Sequence, residues 1–169
     1  MLNLSLIRHA RTDLDNSIHD DMSRRISSQG MDKTKKVCEF LKKKKISFDE
    51  IFCSPSKRTK ETLNIIEKYL PNKPLVNFLD NLYHTSNVDI FDTVMLEAQK
   101  KKVLIVSHQP LLSNSINSFF SGSKNKYYYD AIKSYNTSAL FNVSFNCEKW
   151  HQILKSNAVL NFFIKPSEL

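Results

Sequence analysis

The sequence predicts a single α/β domain over residues 1–169, a three-layer α/β/α stack with a mostly parallel central sheet and a mixed edge. Three observations predict it. Short apolar runs alternate with segments of helical periodicity as far as about residue 120, a pattern that implies parallel strands covered by helices on both faces. Two alternating runs near the end, 139–145 and 151–154, read as an antiparallel pair. The chain has 169 residues, 41% of them hydrophobic, with 11 phenylalanines, enough for one core. No repeat, linker or low-complexity block divides it.

Taken in order, residues 2–8 form the first strand. From Ser27 to about Lys44, Thr34, Val37, Cys38 and Leu41 recur at helical spacing behind a Ser27-Ser28 start. Ile51-Phe52-Cys53 is a short buried strand closed by Ser54-Pro55. Residues 56–70 are helical, with Thr62, Ile65, Ile66 and Tyr69 on one face and Pro71 as the stop. Residues 75–78 give a third strand, 88–99 a third helix, and 103–106 (Val-Leu-Ile-Val) the plainest strand of all. Pro110 opens a helix over 110–120.

Composition removes several function classes. With only Gly30 and Gly122, the chain holds no G-x-G-x-x-G fingerprint, Walker A loop or G-x-S-x-G elbow, so any phosphate must be held by side chains. Arg8 interrupts the N-terminal apolar run too early for a signal peptide, and no run approaches the roughly 18 apolar residues of a membrane span. Cys38, Cys53 and Cys147 are odd in number and far apart, as free thiols of a reducing cytoplasm would be. A cytoplasmic location without a membrane partner is the expectation. The net charge is +8, and 20 of the 25 basic residues are lysines, bunched at 33–36, 42–45 and 100–102. Four consecutive lysines at 100° steps cannot share a helix face, and no aromatic interleaving accompanies them. This argues for a solvated surface rather than a nucleic-acid partner.

Ligands of such sheets bind beyond the carboxyl ends of the strands. The first strand ends in Arg8-His9, the second leads through Ser54-Pro55 to Arg58, and the fourth ends in Ser107-His108. Two arginines and two histidines therefore converge on one patch. Planar guanidinium groups bind two phosphate oxygens at once and keep their charge. An unprotonated imidazole is a competent in-line nucleophile, and a second histidine can donate to an equatorial oxygen. Repulsion from the arginines should hold the histidine pKa down. No metal is expected: His9, His108 and Asp13 lack a starting chelate, and the arginines would repel a cation. His19, His84 and His151 read as ordinary core or surface groups.

LIRHA after the first strand, SPSKRTKET after the second and VLIVSHQP at the fourth together resemble the histidine phosphatase (phosphoglycerate mutase-like) superfamily, and most of all its small SixA-type phosphohistidine phosphatases. The resemblance implies that fold, no cofactor, and His9 as a nucleophile that becomes phosphorylated. It makes Arg8 and Arg58 phosphate clamps and His108 the second pocket histidine. In RRISSQG (24–30), it makes Arg24 a further phosphate-binding residue, with Arg25 as the alternative.

Two departures from the family pattern matter. Ala10 stands where glycine often follows the nucleophile. In LDNLYHT (79–85), where larger relatives place an acidic glutamate, the sequence offers Asp80 as general acid. A phosphate ester needs a proton on its leaving alkoxide, whereas the imidazole of a phosphohistidine can leave already protonated. Residues 79–87 are too short for a lid. The expected function is therefore a phosphatase acting on phosphohistidine of a signalling protein through a covalent phosphohistidine intermediate. The alternatives are a small phosphomonoesterase acting on a metabolite or nucleotide, or a basic binding module on the same fold without turnover.

Overall fold

Strand β1 (Leu2–Arg8) runs through the centre of the molecule, with Leu2, Leu4, Leu6 and Ile7 buried. In the computed structural model, which describes residues 1–13 and 20–169, β1 pairs in parallel with β4 (Lys102–Ser107) and antiparallel with β5 (Leu140–Phe145). Strands β2 (Glu50–Cys53) and β3 (Leu75–Phe78) extend the parallel side, and β6 (Ala158–Ile164) extends the antiparallel side. The six strands lie in the order β3-β2-β4-β1-β5-β6, the mixed, mostly parallel sheet that the sequence predicts.

Two apolar layers cover the sheet. On one face, Ile7, Ile51, Cys53, Leu104 and Val106 meet α1 (Ser28–Lys43) and α2 (Lys57–Glu67) through Val37, Cys38, Leu41, Leu63 and Ile66. On the other, Leu4, Leu6, Phe52 and Ile105 meet α3 (Ile90–Glu97), α4 (Leu111–Phe120) and α5 (Lys126–Lys133). Full burial of each large apolar side chain contributes about 1.5–3 kcal/mol. Local signals set the helix starts. Ser27 accepts from Gly30 N at 3.0 Å, Asp89 from Phe91 N at 2.7 Å and Asn125 from Tyr127 N at 2.8 Å, each satisfying an orphan N–H of a first turn. At the far end of the sheet, buried Glu50 accepts from Gln99 N (2.8 Å) and Lys100 N (2.9 Å), fixing the turn into β4.

Helix α1 ends within the 42–45 lysine run, with Lys45 at φ 55°. Two readings are corrected. Residues 151–154 are not a strand: Trp150–Gln152 is a 3-10 turn whose indole is buried and donates to Lys100 O at 2.7 Å. The partner of β5 is the later run Ala158–Ile164, so the tail NFFIKPSEL supplies the sheet edge and a turn at Pro166–Glu168. Helix α5 was not predicted. Its KYYYDAIK sequence is rich in strand-forming tyrosine, but Asn125 caps it and Tyr128 and Ala131, three apart, bury one side.

Both edges of the sheet carry exposed apolar side chains, Leu75 and Phe78 on β3 and Val159 on β6. Among the described residues, no helix is long and apolar enough to cross a membrane.

Candidate active site

The carboxyl ends of β1 and β4 lie side by side, Arg8 in register with Ser107, and the next residue of each strand is a histidine. The His9 and His108 rings are 5.1 Å apart. The β1 exit is fixed on both sides: His9 N donates to Ser107 O at 3.0 Å, and Ser138 N donates to the carbonyls of Arg8 and His9 at 3.1 and 3.2 Å. Ala10 N donates to Thr62 Oγ1 at 2.9 Å, tying the same turn to α2. Buried Gly30 admits close approach of the next residue, since a Cβ there would collide with the Arg11 backbone.

A cavity of about 370 Å³ opens here, lined by Arg8, His9, Arg24, Arg58 and His108 together with Arg11, Thr12, Asp21, His84, Gln109 and Thr137. His9 Nδ1 lies 2.7 Å from Ala10 O. A carbonyl only accepts, so Nδ1 carries the proton and Nε2 keeps its lone pair. The His9 pKa is pushed down to about 3, by burial first and then by Arg58, Arg8 and Arg24. Repulsion by the arginines, the cause expected from sequence, thus ranks below desolvation. His108 falls to about 2, again mainly through burial. Its Nε2 is 2.7 Å from Ser54 Oγ. At neutral pH both rings are uncharged.

Arg8 donates from Nη1 to Tyr135 O at 2.8 Å, and burial and Arg58 lower its pKa from the usual value. Buried Arg58 projects from the first turn of α2 and donates to Asp21 through both terminal nitrogens. Arg24 pairs with Asp21 at 3.3 Å and with Thr12. Six buried side-chain polar atoms lack a hydrogen-bond partner among the described residues. Four are nitrogens of this cavity's walls: Arg8 Nε, Arg58 Nε, His84 Nδ1 and His108 Nδ1. A buried polar atom without a partner costs about 1–3 kcal/mol.

The structure brings together five of the sequence-predicted residues: Arg8, His9, Arg24, Arg58 and His108. Arg25 turns away and pairs with Glu61 at 3.5 Å. Asp80 is exposed at the start of a 3-10 turn (Asp80–Leu82) and is not among the residues lining the cavity; the same turn buries Leu82, and His84 beyond it reaches the cavity wall. Sequence reasoning left His84 as an ordinary group, yet it lines the cavity 5.7 Å from the His108 ring. Asp21 was not singled out at all. His151 lies elsewhere, beside Trp150, and His19 falls outside the described residues. Among the described residues, no group of three or more His, Cys, Asp or Glu side chains could hold a metal ion.

Comparisons with known proteins bear on the fold that carries this site. No curated protein matches the chain. The protein histidine phosphatase SixA complexed with tungstate is 20% identical with a TM-score of 0.76, covering 99% of each chain. A SixA-named chain of Nakamurella multipartitia is 21% identical with a TM-score of 0.80, covering 98% of this chain and 96% of that one. A phosphoserine phosphatase mutant of Entamoeba histolytica in complex with phosphoserine is 16% identical with a TM-score of 0.64, covering 100% of both. Residues 4–82, which hold Arg8, His9, Arg24 and Arg58, match the histidine phosphatase superfamily (branch 1), and the chain over its whole length has the fold of the SixA structures.

Proposed function

We propose that the protein is a phosphatase that moves a phosphoryl group onto His9 and then onto water, with phosphohistidine of another protein as its preferred substrate. The observation that carries the reading is the convergence of Arg8, Arg24, Arg58 and His108 on one cavity beside His9, whose Nδ1 holds the proton and leaves Nε2 its lone pair. His9 Nε2 attacks phosphorus as the bond to the leaving group breaks. Arg8 and Arg58 hold the equatorial oxygens, Arg24 adds positive charge, and His108 Nδ1 donates to an oxygen while Ser54 donates to its Nε2. Water then attacks the phosphoryl group on His9, loses a proton, and releases inorganic phosphate.

The substrate class rests on the acid side of the chemistry. Asp80 lies outside the cavity wall, and transfer between two imidazoles needs little protonation of the leaving group. The likeness to a protein histidine phosphatase supports the same reading, as does a lysine-rich exterior that would draw in an acidic phosphoprotein. A soluble, cytoplasmic signalling role is part of this proposal. A second reading, a small phosphate ester as substrate, is favoured by an adjoining cavity of about 270 Å³, also walled by His84, with Asn87, Asn114 and Ser118, and by the likeness to a phosphoserine phosphatase.

Phosphate release from a phosphohistidine domain, from phosphoserine and from sugar phosphates decides between them. Higher kcat/KM on the domain is expected. Faster turnover of the esters would establish the second reading, and no release from any of them would leave a binding module.

A further inference from the structure

Asp21 is the only carboxylate among the described residues of the cavity wall, and it accepts hydrogen bonds from Arg58, Arg24 and Tyr83. Arg58 Nη1 donates to its backbone oxygen at 2.7 Å and Nη2 to its Oδ2 at 2.9 Å. Arg24 donates to Oδ1 at 3.3 Å, the Tyr83 hydroxyl donates to Oδ2, and His84 Nδ1 is 3.8 Å away. Burial would raise the Asp21 pKa, but the Tyr83 hydroxyl and Arg58 hold it well below the carboxylate range, so it stays an acceptor and does not supply protons.

The pattern on Arg58 is the informative part. Both terminal nitrogens face Asp21, while Nε–H is buried and has no partner among the described residues. A carboxylate that merely filled the anion site until phosphate arrived would take the edge phosphate needs. Asp21 takes the Nη1–Nη2 end and leaves Nε–H without a partner. The Tyr83 ring lies 5.8 Å from the guanidinium carbon, so the group that orients Arg58 is itself held by the loop that covers it.

We propose that Asp21 is a positioning residue that fixes the guanidinium of Arg58 with its Nε edge toward the phosphoryl group, favouring the transition state over the ground state. This rests on the phosphatase reading above. Phosphate in its ground state can be held by Arg8 and Arg24 with Arg58 askew. A trigonal-bipyramidal phosphoryl group needs the fork aligned, and misplacement of a clamp can cost about 100-fold.

The test compares wild type, Asp21→Ala, Asp21→Asn, Arg58→Ala and the Asp21→Ala/Arg58→Ala double variant, using turnover of a phosphohistidine domain and equilibrium binding of vanadate and inorganic phosphate. Asp21→Ala should lower kcat about 100-fold and weaken vanadate to a similar degree, with phosphate affinity changed less than about threefold. Asp21→Asn, which keeps an acceptor for Arg58, should recover part of the loss. In the Arg58→Ala background, removing Asp21 should cost almost nothing more. Unchanged activity, tighter vanadate binding or multiplicative losses would each overturn the proposal, even where thermal unfolding shows the variants folded. If wild type binds vanadate without turnover, the phosphatase reading falls, and the vanadate affinities alone judge Asp21. If wild type binds neither oxyanion, both fall.

Discussion

The imidazoles of His9 and His108 stand 5.1 Å apart, both buried, with pKa values pushed down to about 3 and about 2. Unfolded histidine ionises near 6.5, so between pH 6.5 and about 3 the unfolded chain binds more protons than the folded one. Stability should be complete above pH 6.5 and fall as pH drops through that window. Asp21, held low in the folded state, adds a loss of the same sign at still lower pH. Urea midpoints from pH 8 to 4 should decline on the acid side, and His9→Ala should flatten the slope. A midpoint constant down to pH 4 would contradict the buried neutral pair.

His9→Ala should abolish turnover and leave the fold intact, because the side chain sits at a strand exit rather than between the apolar layers. Denaturing the wild type during turnover without acid should trap an acid-labile, base-stable phosphoryl group on His9. A variant keeping more than about 1% of the rate would rule out the covalent route.

Because guanidinium groups provide the cavity's positive charge, EDTA should leave activity unchanged and vanadate should inhibit. Arg58→Lys should lose at least about tenfold in kcat/KM, since an ammonium is a point charge and cannot reproduce a two-oxygen fork. Activity lost to EDTA and restored by a divalent metal would refute this.

Asp80→Asn should change kcat/KM by less than about twofold, as expected of an exposed side chain away from the cavity. A large loss confined to ester substrates would return Asp80 to the mechanism.

Gly30→Ala should destabilise the fold by about 1–3 kcal/mol. The helix itself would tolerate alanine, but the added methyl meets the backbone of Arg11, whose N lies 3.0 Å from the Cβ position. A urea midpoint equal to wild type would show that the turn after His9 yields freely.

Residues at strand ends were readable because an apolar run marks where a strand stops and which side chains stand at its exit. Arg8, His9, Arg58 and His108 all lie within a few residues of such a stop. Asp21, Tyr83 and His84 belong to connecting segments, whose direction depends on tertiary contacts that no periodicity records. The DDMSRR stretch (20–25) did carry a signal, an aspartate three residues before Arg24, and the two do pair. Misplacing the last strand has a similar cause. Trp150 is buried with its indole donating to Lys100 O before β4, and the adjacent Ile153 and Leu154 make an apolar pair that a short strand would also show.

The exposed apolar side chains at both edges of the sheet give the lysine excess a colloidal role. Leu75 and Phe78 on β3 and Val159 on β6 lie on the two end strands, which have no further strand partner among the described residues and so offer the template for edge-to-edge pairing. A surface charge of +8 opposes the approach of a second copy at low ionic strength, and screening shortens its reach to about 3 Å at 1 M salt. Self-association is therefore expected to rise with salt concentration, a change that light scattering would register.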